Sequence, residues 1–311
     1  MILTVTLNPS IDRTLFVDGL KLGDTNRVVR TEVDAGGKGL NLSRVAAELG
    51  GTTLATGFLG AGPGQVIRSV LEAEGVAFRM TEVAESTRVN ISVEAGDGPP
   101  TTLNERGPHI SSDELNAFLS TFGACLEQFE GWVCLCGSVP PSVDKAIYRQ
   151  LGLMAKSAGW KVFLDADGEL LRNGLEAKPD LIKPNTHEAS RLLGRTIVSD
   201  DDAFQAASEL LGSLSDDGVV VISQGKDGAV LVSEELRLKG ISPSIEPCST
   251  IGSGDSMIGG LLAALERGSP WDAAFRWGLA AGAATATTNG SEIARLGVVE
   301  LLFDQARVVT V

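Results

Sequence analysis

Residues 248–260, "CSTIGSGDSMIGG", hold four glycines, three serines and a single carboxylate, Asp255. Side chains this small make a poor strand, and the glycines disfavour a helix until Met257. From there Met257, Ile258, Leu261, Leu262 and Leu265 form an apolar stripe at helical spacing. The segment therefore reads as a turn leading into a helix from Ser256, with one acid held at the junction. In α/β folds such a turn lets the N–H groups of a helix N-terminus collect an anion, phosphate above all. An acid placed there is either an N-cap or a base beside a phosphoryl group.

The rest of the chain fits an α/β setting. The runs "ILTVTL" (2–7), "WVCLCG" (132–137), "KVFLDA" (161–166), "DLIKPN" (180–185) and "VVVIS" (219–223) are short and apolar. They end in polar or glycine residues, as buried parallel strands do where functional groups gather at their C-terminal ends. Helical patterns alternate with them at 41–49, 111–122, 142–158, 187–193 and 201–214, and a small-residue helix covers 272–288. The alternation predicts a doubly wound, mainly parallel sheet flanked by helices, in one domain over 1–311. Two polar, hairpin-like pieces break the rhythm, at about 12–33 and 86–104. They are expected to pack together as a small β lid over the strand ends.

Two further glycine turns, "AGGKGLN" (35–41) and "FLGAGPGQV" (58–66), have the makings of anion-binding loops. Walker A fails, because Lys38 is followed by Gly39 and not by Ser or Thr. The dinucleotide fingerprint fails as well: Gly60 and Gly62 are followed by Gly64 one residue out of step, far from the first strand. A nicotinamide-dependent oxidoreductase is thus a weak reading. The net charge of −14 and the lack of a basic block exclude nucleic acid as a partner. Two distant histidines, His109 and His187, argue against histidine catalysis. Cys125, Cys134, Cys136 and Cys248 form no CxxC pair and read as buried free thiols of a reducing compartment. With neither a signal peptide nor a membrane span legible, the expected location is the cytoplasm.

"STIGSGDS" (249–256) resembles the C-terminal signature of the PfkB, or ribokinase-like, carbohydrate kinases, and "GGKGLN" (36–41) resembles their N-terminal signature. "TLNPSIDRT" (6–14), "TRVN" (87–90), "NERGP" (104–108), "GSVPP" (137–141) and "KPNTHE" (183–188) are similar to motifs of the phosphosugar branch. That branch holds 1-phosphofructokinase and tagatose-6-phosphate kinase. The motifs run in family order over nearly the whole chain.

The resemblance implies a ribokinase-like fold and an ATP-dependent phosphosugar kinase. It implies fructose 1-phosphate as the substrate and fructose 1,6-bisphosphate as the product, with tagatose 6-phosphate or fructose 6-phosphate as the alternatives. Asp255 would be the catalytic base, and the N–H groups of Gly252, Ser253 and Gly254 the anion hole. Asp12, Gly37, Lys38, Gly39, Asn41 and Ser138 would hold the sugar. Arg27 and Arg88, in the lid, would take its phosphate together with Lys38. Lys183, Asn185, Glu188, Ser223, Gly225, Gly228 and Asn289 would lie along ATP, with Glu188 acting on Mg²⁺ through its outer sphere. Glu188 and Asn185 read equally as the charge and the cap of a helix N-terminus. Relatives' lids often pair between subunits, which implies a homodimer. The chain departs from the family in two places. Ser249-Thr250 stands where many members have an Asp, which bears on a monovalent cation site there, and Arg106 stands where a Pro is common.

Overall fold

A computed structural model describes every residue except Asp97, Pro99, Asn289 and Ser291. The chain opens with β1 (Ile2–Thr6), β2 (Ser10–Val17), β3 (Val28–Gly36) and α1 (Lys38–Glu48). Next come β4 (Thr53–Gly60), α2 (Pro63–Ala73), β5 (Ala77–Val83), β6 (Arg88–Glu94), β7 (Thr101–Asn104) and α3 (Ser112–Gln128). The alternation continues through β8 (Trp132–Cys136), α4 (Ile147–Ser157), β9 (Lys161–Asp165), α5 (Gly168–Leu175) and β10 (Leu181–Ile182). After α6 (Thr186–Leu193), α7 (Asp200–Leu211) and β11 (Val219–Ser223), the hairpin strands β12 (Ala229–Val232) and β13 (Arg237–Ile241) turn back. Helices α8 (Ser253–Glu266), α9 (Trp271–Ala286) and α10 (Leu296–Phe303) lead to β14 (Arg307–Thr310).

The larger sheet has the order β14-β13-β12-β11-β10-β9-β8-β1-β4-β5. From β5 to β11 every pairing is parallel, and β12, β13 and β14 extend the far edge antiparallel. The chain winds from β1 through β4 to β5, then returns to β8 on the other side of β1. This puts a topological switch between β1 and β8, where open α/β sheets bind their ligands. Both faces of the sheet are covered. Leu3, Val5, Val133 and Leu135 face one apolar core, while Ile2, Trp132, Cys134 and Cys136 face the other. Burial on two faces is why these strands read as continuous apolar runs.

A separate four-stranded sheet has the order β3-β2-β6-β7. It is built from the two segments that broke the rhythm, with bounds at Ser10–Gly36 and Arg88–Asn104. Here β2 runs antiparallel to β3, pairing Ser10 with Gly36, and parallel to β6, pairing Ser10 with Arg88.

Three expectations need correction. The glycines of 58–66 do not form an open anion loop. Residues 58–60 finish β4, the Gly60 N–H donates to Thr87 Oγ1 at 2.9 Å, and a Cβ at Gly60 would meet the Glu85 carbonyl oxygen at 1.9 Å. Glycine is needed there for close backbone approach. Second, Cys248 is free but exposed; only Cys125, Cys134 and Cys136 are buried. Third, α8 starts at Ser253, not at Ser256. Among the described residues no helix is long and apolar enough to cross a membrane.

Candidate active site

The start of α8 changes the position of the acid. Gly252, in the left-handed region at φ 75°, is the N-cap, so Asp255 lies in the first helical turn. Packing against α1 and α9 stabilises a turn that glycine alone would disfavour, and ten residues of α8 are buried. The first-turn N–H groups have no intrahelical acceptor and carry the positive end of the helix dipole. Lys183, just after β10, is buried and sets its ammonium against this turn. A Cβ on Gly254 would lie 2.9 Å from Lys183 Nζ, so glycine gives the cation its place. Among the described residues Lys183 makes no hydrogen bond or ion pair. Ser253 Oγ and Asn41 Oδ1 are buried without a partner. The Ser253 N–H donates to the Thr250 carbonyl at 3.4 Å, which leaves the Gly254 and Asp255 N–H groups. With a buried cation and an unused hydroxyl, these fit a phosphate.

Asp255 is 9% exposed, and its Oδ2 accepts a hydrogen bond from Asn41 Nδ2 at 3.0 Å. Burial pushes its pKa up to about 6, with Asp165 acting in the same direction and Lys38, Asn41 and Lys183 opposing. The group is thus basic enough to take a proton and still ionised at neutral pH.

Lys38 opens α1 and donates to Asp165 Oδ1, at the end of β9, at 2.5 Å. Burial would lower its pKa, but the Asp165 and Asp255 carboxylates outweigh that and raise it. The Lys38 ammonium is therefore charged throughout the working range. Sequence reading missed Asp165, although the signal was present: an acid closes the apolar run "KVFLDA" at a parallel-strand C-terminus.

The second sheet brings a polar group to the same mouth. Asp12 on β2 accepts from Ser10 Oγ and Asn90 Nδ2, each at 2.8 Å. Arg88 opens β6, and its Nε donates to the Asn8 carbonyl at 3.1 Å. Asn8 Nδ2 in turn reaches the Arg106 carbonyl at 3.1 Å and Ser138 Oγ at 3.3 Å. Asn8 Oδ1 and Asn90 Oδ1 are buried without a partner. Asn8 and Asn90 lie inside motifs noted in the sequence but were not singled out there. Gly37, Gly39 and Asn41 occupy the α1 N-terminus, with the Asn41 N–H on the Gly37 carbonyl at 2.9 Å.

Arg27 does not join this group within the chain. It is exposed just before β3, and the β2–β3 hairpin runs from there to the Ser10–Gly36 pair. At strand spacing that separates it from Gly36 by roughly 30 Å.

On the other side of α8, Asn185 and Glu188 form a capping box at the start of α6. Asn185 Oδ1 accepts from the Glu188 N–H, and Glu188 Oε2 from the Asn185 N–H, both at 2.9 Å. Ser223 ends β11 and bridges to Asn185. Gly225 and Gly228 bound the tight turn between β11 and β12. Asn289 lies outside the described residues. Among the described residues no cluster of three His, Cys, Asp or Glu groups is placed to hold a metal.

The sequence profile described as pfkB family carbohydrate kinase matches residues 5–295. The chain is 35% identical to the 1-phosphofructokinase of Bacillus subtilis (strain 168) over 286 residues, which is 92% of each protein. It is also 35% identical to the 1-phosphofructokinase of Rhodobacter capsulatus over 268 residues, 86% of this chain and 84% of that protein. Among solved structures, phosphofructokinase-2 from Escherichia coli in complex with potassium superposes with a TM-score of 0.89. It is 29% identical, with 97% of this chain and 98% of that one covered. A profile match over most of the length, joined to full-length relatives above 30% identity, shows that this chain belongs to the pfkB family of carbohydrate kinases.

Proposed function

We propose that the protein transfers the γ-phosphoryl group of ATP to fructose 1-phosphate, giving fructose 1,6-bisphosphate. The observation that carries this reading is Asp255: a buried carboxylate with its pKa raised to about 6, in a helix turn that also offers free N–H groups and the Lys183 ammonium. The Asp255 carboxylate takes the proton of the sugar's primary hydroxyl. That oxygen forms a bond to the γ-phosphorus as the bond to the bridging oxygen breaks, and ADP leaves with the electron pair. The α8 N–H groups and Lys183 stabilise the charge on the transferring phosphoryl group. Asp12, Asn90 and Asn41 accept or donate to the sugar hydroxyls, and Arg88 takes the sugar's own phosphate.

Mg²⁺, when bound with ATP, neutralises phosphate charge. Few carboxylates stand near, so phosphate oxygens and water would supply most ligands, with the Glu188 oxygen outside the capping box in the outer sphere. A monovalent cation beside residues 249–251 would rely on backbone carbonyls, because Ser249 Oγ already donates to the Gly290 carbonyl and accepts from the Ile251 N–H. The second sheet exposes Val28, Val29, Val33 and Leu103, which supports its pairing with a second copy in a homodimer. Cytoplasmic residence accords with the free cysteines.

A coupled assay of ADP release tests the substrate. Fructose 1-phosphate is expected to give the highest kcat/KM among fructose 1-phosphate, fructose 6-phosphate, tagatose 6-phosphate and free fructose. A higher value for another phosphosugar would reassign the substrate.

A further inference from the structure

We propose that Arg106 is a second phosphate-binding cation, facing Arg88 across one cavity, and that it sets the preference for a phosphorylated over a free sugar. The inference rests on the phosphosugar reading above. The cavity has a volume of about 440 Å³ and is lined by Arg88 and Arg106 together with Ser86, Gly107, Glu85 and Glu105. Each of its two carboxylates holds one backbone N–H with a single oxygen. Glu85 Oε2 accepts from the His109 N–H at 2.6 Å, and Glu105 Oε2 from the Val89 N–H at 2.8 Å. Arg88 is anchored by the carbonyls of Asn8 and Glu105, at 3.1 and 3.0 Å, which fixes one guanidinium in the wall.

Arg106 differs. Among the described residues its side chain makes no hydrogen bond or ion pair. Its backbone, by contrast, is held, because its carbonyl accepts from Asn8 Nδ2, which also reaches Ser138 Oγ. The peptide is thus tied to the sugar side of the site while the guanidinium is left unmatched. Glu85 and Glu105 stand in the same wall as the two guanidinium groups, and Glu105 with Asp12 acts electrostatically on Arg88, but among the described residues no carboxylate is in ion-pair contact with Arg106. A phosphate monoester would give that guanidinium a partner, and two planar donor forks suit its oxygens better than one. Arg106 therefore acts on substrate choice, while Asp255 acts on the transfer.

The test compares wild type, Arg106→Gln and Arg106→Lys with fructose 1-phosphate, free fructose and ATP as varied substrates, and inorganic phosphate as an inhibitor. Loss of one charge-assisted contact is expected to raise the KM for fructose 1-phosphate in Arg106→Gln about 10- to 150-fold, and far less the KM for ATP. The same variant should weaken competitive inhibition by inorganic phosphate, and Arg106→Lys should recover part of both effects. Matching thermal unfolding of the three proteins controls for folding. An Arg106→Gln enzyme with wild-type KM for fructose 1-phosphate and wild-type phosphate inhibition overturns the proposal. A wild type that uses free fructose as readily as fructose 1-phosphate instead overturns the functional reading, and the inference with it.

Discussion

Asp255 is held where burial opposes its charge, and this has two measurable consequences. Loss of a general base costs roughly 100- to 10,000-fold in rate, so Asp255→Asn should lower kcat by that order with the KM for ATP little changed. A near-normal kcat in the folded variant would remove Asp255 from the chemistry. In the wild type, kcat/KM should fall as the pH drops through about 6, where the carboxylate takes up a proton. Stability runs the other way. The folded pKa of about 6 lies above the ordinary value of 3.8, so the folded state binds this proton more tightly. Above pH 6 the buried charge costs roughly 2–3 kcal/mol, and the cost fades as the pH falls towards 4. Asp255→Asn should therefore unfold at a temperature several degrees above wild type at pH 8, with the gain vanishing near pH 4. Asp165 acts on the same titration through space. Asp165→Asn removes a negative neighbour that raises the Asp255 pKa, so the acid limb of the kcat/KM profile should move to lower pH. An unmoved limb would confine Asp165 to anchoring Lys38.

At the scale of elements, the two helix N-termini at the site have different duties. The α8 turn needs glycine at 254 so that the Lys183 ammonium can lie against it. In Gly254→Ala the flexible lysine end gives way and the helix persists. The KM for ATP should rise about 10-fold or more while the KM for sugar changes little. Equal changes in both would mean that the turn does not face the nucleotide. The α6 turn is a capping box, and Glu188→Gln keeps an acceptor for the Asn185 N–H. That variant should unfold within a degree or two of wild type, yet need more Mg²⁺ for half-maximal rate. An unchanged Mg²⁺ requirement would leave Glu188 a purely structural cap.

For the whole molecule, the second sheet carries Asp12, Asn90 and Arg88 towards a site whose base belongs to the larger sheet's helices. Binding of a phosphosugar would tie the two sheets together and exclude water from the transfer. Hydrogen exchange in β2, β3, β6 and β7 is expected to slow when fructose 1-phosphate is added. Protection confined to the larger sheet would show that the second sheet takes no part in closure. Size-exclusion chromatography with light scattering should give a mass near twice the 32.4 kDa of one chain. A monomer would leave the exposed valines of β3 without a partner.

The sequence by itself determined the α/β class, because a strand buried on two faces must be apolar at every position, as in "WVCLCG". It also determined the helix at 111–122, whose start the structure closes with a local capping box between Ser111 and Glu114 that depends on nothing distant. The glycine turn at 35–41 and the acid at 255 were legible for the same local reason, whereas the run at 58–66 was not, because its first residues complete β4. Only the tertiary structure decided where α8 begins, because the packing of α8 against α1 and α9 outweighs the cost of glycine in its first turn. It alone paired Lys38 with Asp165, 127 residues apart, and Asn41 with Asp255, 214 apart. Within one chain it also set Arg27 apart from the group around Asp12, although "lid cation" described Arg27 and Arg88 equally well in the sequence. Strand pairing sets Arg88 beside Ser10 and sends Arg27 to the far end of the hairpin. Sequence periodicity fixes which face a residue takes; register between strands fixes which residues meet, and register is settled by contacts between distant segments.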